Sequence, residues 1–469
     1  MKKILFLVTA NKTNFFIEIE KKLSKSYDFF WVTPSETWFQ KLLDFGIKEN
    51  RILHLGKRIS ININSNEYVN SIKEIEKFSS LTINQIVSMD RVLKEKNIKK
   101  SKEIVISNYL AISDFIIQNS IDVIFSEQTW NFEIMATIAA KKNKIKSFHV
   151  DGVKVPDGEE FGRFAFFEGF FMDKIYGTVK PKSEDYLFAE NFLSFYRNKE
   201  PNTAYYKPFN KKVAIKKDWP LKFLRHLYLL IYDRHDFTRR SLISIVVYNL
   251  FRLKNYVLYR FHNPFDSIEK LDNKKFIFIA LHKQPDSSVY VCASDYIDQL
   301  AAIEALIKKI PFGIFIAIKD SPHAIGNNNL SFYKRLKKFE NVYVIKPLES
   351  TFKLIRNSEC VISIGGTVSL ESAIAGKRSA TAVKKFFSDL CIDEIDFYTT
   401  TSKKITQILS NKPPSDKKII DYLAMIHANS YKGMFYDPTT SKSFSSDANI
   451  ANIVKGFESF LNESNQESK

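Results

Sequence analysis

Cysteine is scarce in this chain, with three in 469 residues, at Cys292, Cys360 and Cys391. Their separations form no paired spacing, which excludes a disulfide framework and a cysteine metal centre and reads as buried thiols in a reducing compartment. Long apolar runs are missing too. The longest uncharged stretch of the most aromatic region, Ser241 to Phe251, falls far short of the ~20 residues a membrane span needs. At the N-terminus Lys2-Lys3 precede only Ile4 to Val8, and Asn11-Lys12 follow without a small-residue cleavage site, so no secretion signal is expected. That stretch reads as the first strand of a Rossmann-like domain, with Thr9 to Thr13 as its loop and Phe15 to Leu23 as its helix. The loop has no glycine fingerprint, which argues against a dinucleotide there, and no cofactor is expected. There is no internal repeat.

Acidic residues are outnumbered, 52 against 70 Lys and Arg, for a net charge of +18. The excess is unevenly placed. Between Lys211 and His262 about a dozen Lys and Arg meet three acids, interleaved with aromatics from Trp219 and Phe223 to Tyr259 and Phe261. The pattern is that of basic amphipathic helices, and two readings are open: a segment lying on an anionic inner leaflet, or helices packed between two domains with a solvated basic face. Nucleic acid is not an expected partner, because no recognition motif appears and the other lysines are scattered along the chain. A length of 469 residues exceeds one ordinary core and suits two α/β domains. Hydrophobic content of 45% with 26% charged residues is that of a folded chain.

The densest chemical signal is Val361 to Lys377, VISIGGTVSLESAIAGK. It reads as a buried strand, a glycine turn at Gly365-Gly366-Thr367 and a helix N-terminus, which presents free backbone N–H groups to an anion. Ser363, Thr367 and Ser369 add hydroxyls, and Glu371 lies one helical turn inside, within reach of a ribose or sugar hydroxyl. A tight strand-to-helix connection with no ligand has the same outline. Upstream, the strand Lys275 to Leu281 opens into His282-Lys283-Gln284-Pro285-Asp286, and Gly313 to Ile318 ends in Lys319-Asp320-Ser321-Pro322-His323. Three strands thus carry polar residues at their carboxyl ends, the edge of an open parallel sheet where ligands sit. Two lysines and two histidines there suit a phosphate leaving group without a metal.

In order and spacing, ALHKQPDSS, DQLAAIEALIKKIPFGIFIAIKDSP with HAIG and LSFYKRL, NVYVIKP and VISIGGTVSLESAIAGK resemble the C-terminal half of the bacterial capsule polysaccharide biosynthesis family, which includes Kdo transferases. The resemblance covers residues 270 to 395; over the N-terminal half it is carried by FSEQTWNFE and GRFAFFEG alone. It implies an α/β protein of GT-B-like plan, two Rossmann-like domains facing a cleft with the basic helical segment between them. It also implies a glycosyltransferase of capsule or lipopolysaccharide assembly, using a nucleotide-sugar donor, with CMP-Kdo or a related acidic sugar favoured, and a glycan or glycolipid acceptor; the cysteine usage and the basic aromatic segment add the expectation of a cytoplasmic protein peripheral on the inner membrane. His282, Lys283, Gln284, Lys319, Ser321, Pro322, His323, Ser363, Gly365, Gly366, Thr367, Ser369 and Glu371 are then the donor-binding residues, and Arg163 the acceptor-binding one. One position departs: the family reads Lys-Glu-His-Pro where this chain has Lys319-Asp320-Ser321-Pro322, so a nucleotide-contacting histidine is replaced by Ser321. A different donor, a rewired site and weakened activity all remain open.

The proton acceptor is sought in the first domain. Glu127 follows the strand Ile121 to Phe125 and suits a general base on an acceptor hydroxyl, although a helix cap or a lysine partner would use a carboxylate in the same place. Asp151 and Asp286 are the other candidate catalytic acids, and Glu133 is expected to be structural. The expected division is 1–204 for the acceptor domain, 205–269 for the basic aromatic segment, 270–410 for the donor domain and 411–469 for C-terminal helices and a frayed tail. Phe265 to Asn273 is expected as a linker, and the first domain is expected to loosen after Thr178 and at Glu200-Pro201-Asn202. Other readings carried forward are a nucleotide-sugar 2-epimerase, a polyol-phosphate transferase and a non-catalytic glycan-assembly scaffold.

Overall fold

The computed structural model describes the chain outside residues 9, 58–64, 156–160, 170–171, 173, 178, 199–218 and 467–469. Seven strands come first: β1 (Lys2–Leu7), β2 (Tyr27–Thr33), β3 (Ile52–His54), β4 (Val123–Ser126), β5 (Lys146–Gly152), β6 (Arg163–Glu168) and β7 (Lys174–Ile175). The first five lie parallel in the order β3-β2-β1-β4-β5, and β6 and β7 extend the β5 edge antiparallel. Apolar runs such as Ile4–Leu7 become strands because helices cover both faces of a parallel sheet, leaving no polar side to alternate with. The second sheet contains β8 (Phe276–Ala280), β9 (Phe315–Lys319), β10 (Val342–Ile345), β11 (Cys360–Ser363), β12 (Arg378–Thr381) and β13 (Asp393–Glu394). All six are parallel, in the order β10-β9-β8-β11-β12-β13. Both domains are therefore Rossmann-like, with a topological switch point between β1 and β4 in one and between β8 and β11 in the other.

The chain then returns. A short β14 (Tyr431–Lys432) pairs with β6 at Phe164 and Arg163, and the helix Asp447–Gln466 lies against the helix Thr13–Leu23. Phe457 and Phe460 of that last helix close the aromatic core over β4, β5 and β6, with Phe460 stacked on Phe166 at 3.7 Å between ring centres. A further core belongs to both domains. Val153 and Phe167 from the first, Leu370 and Phe386 from the second, and the helices Ser183–Asn198 and Asp416–Ala428 bury one another.

Several expectations need correction. Asn462 to Gln466 continue the last helix instead of fraying, and the segment expected as C-terminal helices also contributes a strand, β14. The expected linker Phe265 to Asn273 is a built edge: Ile268 and Leu271 are buried, and Asp266 bridges to Ile345 while holding Lys270 and Lys337. Cys360 and Cys391 are buried, as the sequence suggested, whereas Cys292 is partly exposed. The first domain does not loosen directly after Thr178: Val179 is held by Asn429 and Ser183–Asn198 is a helix packed into the shared core, while Glu200-Pro201-Asn202 lie outside the described residues.

Candidate active site between the two sheets

The carboxyl edge of the first sheet gathers a compact ionic cluster. Lys12, in the loop after β1, places Nζ 3.6 Å from the Glu127 carboxylate after β4 and 3.4 Å from Asp151 on β5. Lys154 adds a second contact to Asp151 at 2.9 Å. Burial disfavours charge on Lys12, yet the carboxylates hold its ammonium well above its ordinary range. Against the same burial, Lys154 and Lys12 hold the Asp151 carboxyl well below its own. His149, on the same strand, is buried beside Phe167 with neither ring nitrogen hydrogen-bonded. Burial lowers its pKa to about 3, so it is neutral near pH 7. Glu133 is structural: its carboxylate accepts from the Thr129 and Trp130 N–H groups at 2.6 and 2.9 Å and caps the helix Asn131–Lys142. Burial, with help from the Glu127 charge, raises its pKa to about 7.

The second switch point is built differently. Between β11 and the helix Thr367–Ile374, Gly365 and Gly366 leave room for two side chains. A Cβ on Gly366 would come within 3.2 Å of His282 Cε1, and one on Gly365 within 2.7 Å of Val383 Cγ2. Gly366 thus lets the His282 ring, at the end of β8, lie against the turn at the helix N-terminus. Ser363 and Ser369, expected at the donor, instead hold the turn: Ser363 Oγ accepts from Gly366 N at 3.0 Å and meets Ser369 Oγ at 2.8 Å, and Ser369 Oγ donates to the Ala380 carbonyl. Thr367 Oγ1 donates to the Glu371 carboxylate at 3.4 Å.

Lys319, at the end of β9, is buried, with Nζ donating to Thr351 Oγ1 at 3.0 Å. Burial lowers its pKa to about 8, opposed by Asp320 and Glu371 nearby. The two histidines expected to supply positive charge do not. Burial brings both His282 and His323 to about 4, so near neutrality both imidazoles are uncharged and the cations at this edge are lysines. Ser321 caps the short turn Pro322–Ala324, its Oγ accepting from His323 N at 3.4 Å. Gln284 is also fixed by the fold, its amide donating to the Ile297 carbonyl while its own carbonyl receives Asn327 Nδ2.

Lys385 joins the two clusters. It is buried beside Gly365, and its charge acts on both His149 of the first domain and His282 of the second. The two strand-end edges therefore approach each other at the domain boundary around Lys385, where Phe386 packs on Phe167, the β6 partner of His149. Asp286 lies elsewhere on that boundary, within 3.4 Å of the Ser287 and Ser288 hydroxyls, where its charge acts on Arg91 of the first domain. Lys94 Nζ donates across the same boundary to Tyr290 Oη at 2.7 Å. Arg163 is in neither cluster: its guanidinium donates to Ser430 Oγ at 2.8 Å, to the His427 carbonyl at 3.0 Å and to the Ser430 carbonyl, tying β6 to the returning C-terminal segment. Sequence reasoning passed over Lys12, His149, Lys154 and Lys385. Only Lys12 carried a signal, as the cation in a loop that follows a first strand.

A family model described as "Protein of unknown function (DUF354)" matches residues 234–408, the second domain with the helix before it. No match is found among curated proteins. Among solved structures, the chain is similar to the UDP-GlcNAc 2-epimerase of Neisseria meningitidis bound to UDP-GlcNAc, at 14% identity over 99% of this chain and 100% of that one, with a TM-score of 0.29. It is similar to the Methanocaldococcus jannaschii UDP-GlcNAc 2-epimerase in complex with UDP-GlcNAc and UDP at 13% identity, 91% and 99% coverage and a TM-score of 0.29. It is also similar to the Thermosulfurimonas dismutans KpsC, a beta Kdo 2,7 transferase, at 10% identity, 67% and 80% coverage and a TM-score of 0.29. Values this low carry neither a reaction nor a substrate across to this chain.

Proposed function

We propose that the protein is a glycosyltransferase that binds a nucleotide-activated sugar at the β8–β11 switch point and passes the sugar to a hydroxyl held at the β1–β4–β5 edge. The observation that carries this reading is the position of Lys385, buried beside Gly365 and next to Phe386, whose ring packs on Phe167, the β6 partner of His149, so that the Thr367 helix N-terminus and the carboxylate cluster approach the same domain boundary. The N–H groups at the start of the Thr367 helix, with Lys283 and Lys319, hold the donor phosphate and stabilise it as it departs. Glu371 takes a ribose or sugar hydroxyl. Of the two first-domain carboxylates, Asp151 is held ionised by two lysines and is a poor proton acceptor. Glu127, touched by one lysine at 3.6 Å, is the general base. The resemblance of residues 270 to 395 favours CMP-Kdo or a related acidic sugar as donor and a glycan or glycolipid of capsule or lipopolysaccharide assembly as acceptor.

Thermal stabilisation by CMP, CDP, UMP, UDP, GDP and ADP tests this reading, because a ligand of the folded state must raise Tm by mass action. A CMP-selective shift that is lost in Gly366→Val, where the new side chain meets His282, is the expected result. A UDP-selective shift would move the assignment to a UDP-sugar enzyme, either a transferase or a 2-epimerase. No shift from any nucleotide at millimolar concentration would leave the scaffold reading in front.

A further inference from the structure

The basic aromatic segment forms two helices, Trp219–Tyr232 and Leu242–Phe261, which lie against each other. The second has two faces with separate tasks. On one, Arg252 donates to the Ile325 carbonyl, Asn255 to the Gly326 carbonyl, Tyr259 to the Asn328 carbonyl and Tyr248 to Asn327 Oδ1, which clamps the helix to the loop that follows Ser321-Pro322-His323. On the other, Ile243, Val247, Leu250, Val257 and Phe261 recur at helical spacing and are all exposed, with Ile243 and Phe261 each at 77%. Leu224, Tyr228 and Ile231 continue an exposed apolar face on the first helix, Ile231 at 79%. An apolar surface of this extent is not left to water without a use.

We propose that this helical pair is a docking face for an anionic lipid bilayer. Charge identifies the occupant. Residues 219 to 262 contain eight Lys and Arg against two acids. Both acids are buried and paired with Arg239: Asp233 at 2.6 Å and Asp236 at 3.2 Å. The exposed charges that rim the apolar stripe are therefore all positive, Arg234, Lys254 and Arg260 among them. Lys254 sits within the stripe itself, where a long stem lies among apolar neighbours while the ammonium reaches phosphate headgroups. A second copy of the chain would set this cation cluster against itself. No helix among the described residues is long and apolar enough to cross a membrane, so the helices lie in the interface with their apolar stripe down.

The test is flotation of the full chain with vesicles of phosphatidylcholine alone or mixed with phosphatidylglycerol. We expect binding to the mixed vesicles that weakens with salt, and at least about a tenfold loss in Val247→Glu with Val257→Glu, substitutions on exposed sites that leave Tm unchanged. Lys254→Glu with Arg260→Glu weakens binding to mixed vesicles by about fivefold for each charge removed, and more for the reversal, with little effect on neutral ones. Equal flotation of wild type and the valine variant overturns the proposal, as does no flotation of the wild type. A concentration-dependent dimer that the valine variant abolishes, without vesicle binding, assigns the face to a second copy.

Discussion

The two switch points share a topology and differ in how they handle charge. At the β1–β4 edge every cation has an acid: Lys12 lies between Glu127 and Asp151, and Lys154 on Asp151. At the β8–β11 edge Lys319 is buried with hydroxyl and carbonyl partners, its pKa brought down to about 8, beside two histidines that burial keeps neutral. Among the described residues the first edge holds Lys12 and Lys154 in ion pairs, whereas Lys319 at the second has no carboxylate within salt-bridge distance, Asp320 and Glu371 acting on it only from nearby. A neutral acceptor hydroxyl suits the first edge and a phosphate the second, an asymmetry that a sugar transfer between the two requires.

The comparison breaks most visibly at the proposed base. Glu127→Gln should lower kcat by about 10²- to 10⁴-fold while leaving donor affinity in place, read by steady-state kinetics beside nucleotide titration. Asp151→Asn should instead act on stability. The depressed Asp151 pKa contributes stability that is present above the ordinary carboxylate range and is lost as pH falls through the folded value, so the variant should lose the acid limb of the wild-type Tm profile. Equal kinetic effects from the two substitutions would make the carboxylates interchangeable and end the distinction drawn here.

At the other edge, Lys319→Met should weaken nucleotide binding by about a hundredfold, since a charge-assisted contact to phosphate is lost. The unliganded protein should melt at a higher temperature, because the desolvation that lowers the Lys319 pKa no longer opposes folding. Calorimetry with and without nucleotide reads both. The same lysine sets a pH dependence. An anion binds the protonated form, so affinity should be level below about pH 8, where the free protein already carries the charge, and should fall above it as that proton is lost. The slope is at most about tenfold per pH unit. A flat profile to pH 9 would mean that Lys319 does not meet the ligand. Arg163→Ala is the control for both edges: three hydrogen bonds to the C-terminal segment are lost, which should cost about 2 kcal/mol or more in denaturant unfolding with nucleotide affinity unchanged.

Legibility in the sequence differed between the same two edges. Residues 276 to 374 could be read because strand, glycine turn and helix follow one another locally, and the long apolar run KFIFIAL leaves few alternatives. The role of Ser363 could not be read, since a hydroxyl beside a glycine turn looks the same whether it faces a ligand or holds the turn. In the first domain β2, DFFWVT, had the composition of a strand and was overlooked, whereas β6 and β14 pair residues more than 260 positions apart, Arg163 with Lys432. Lys385, Lys12 and His149 come within electrostatic reach of one another only after both sheets have formed, and no spacing in the sequence announces them.

Ser321 sharpens the comparison with the smallest effect. The residue stands where the resembled family has a nucleotide-contacting histidine, and in this chain its hydroxyl caps Pro322–Ala324 by accepting from His323 N. The loop is held from outside as well: Asn328 and Tyr333 donate to the Asp320 carboxylate, and Asn255 of the basic helix donates to the Gly326 carbonyl. A loop fixed at so many points does not need Ser321 for its course. Ser321→Ala should therefore lower stability by about 1 kcal/mol, the usual worth of a cap, and change nucleotide affinity by less than about threefold. A much larger loss of affinity at unchanged stability would place the serine hydroxyl on the ligand and make it the working replacement for the histidine. A gain of affinity in Ser321→His, with the cap lost, would instead show a site still shaped for the imidazole.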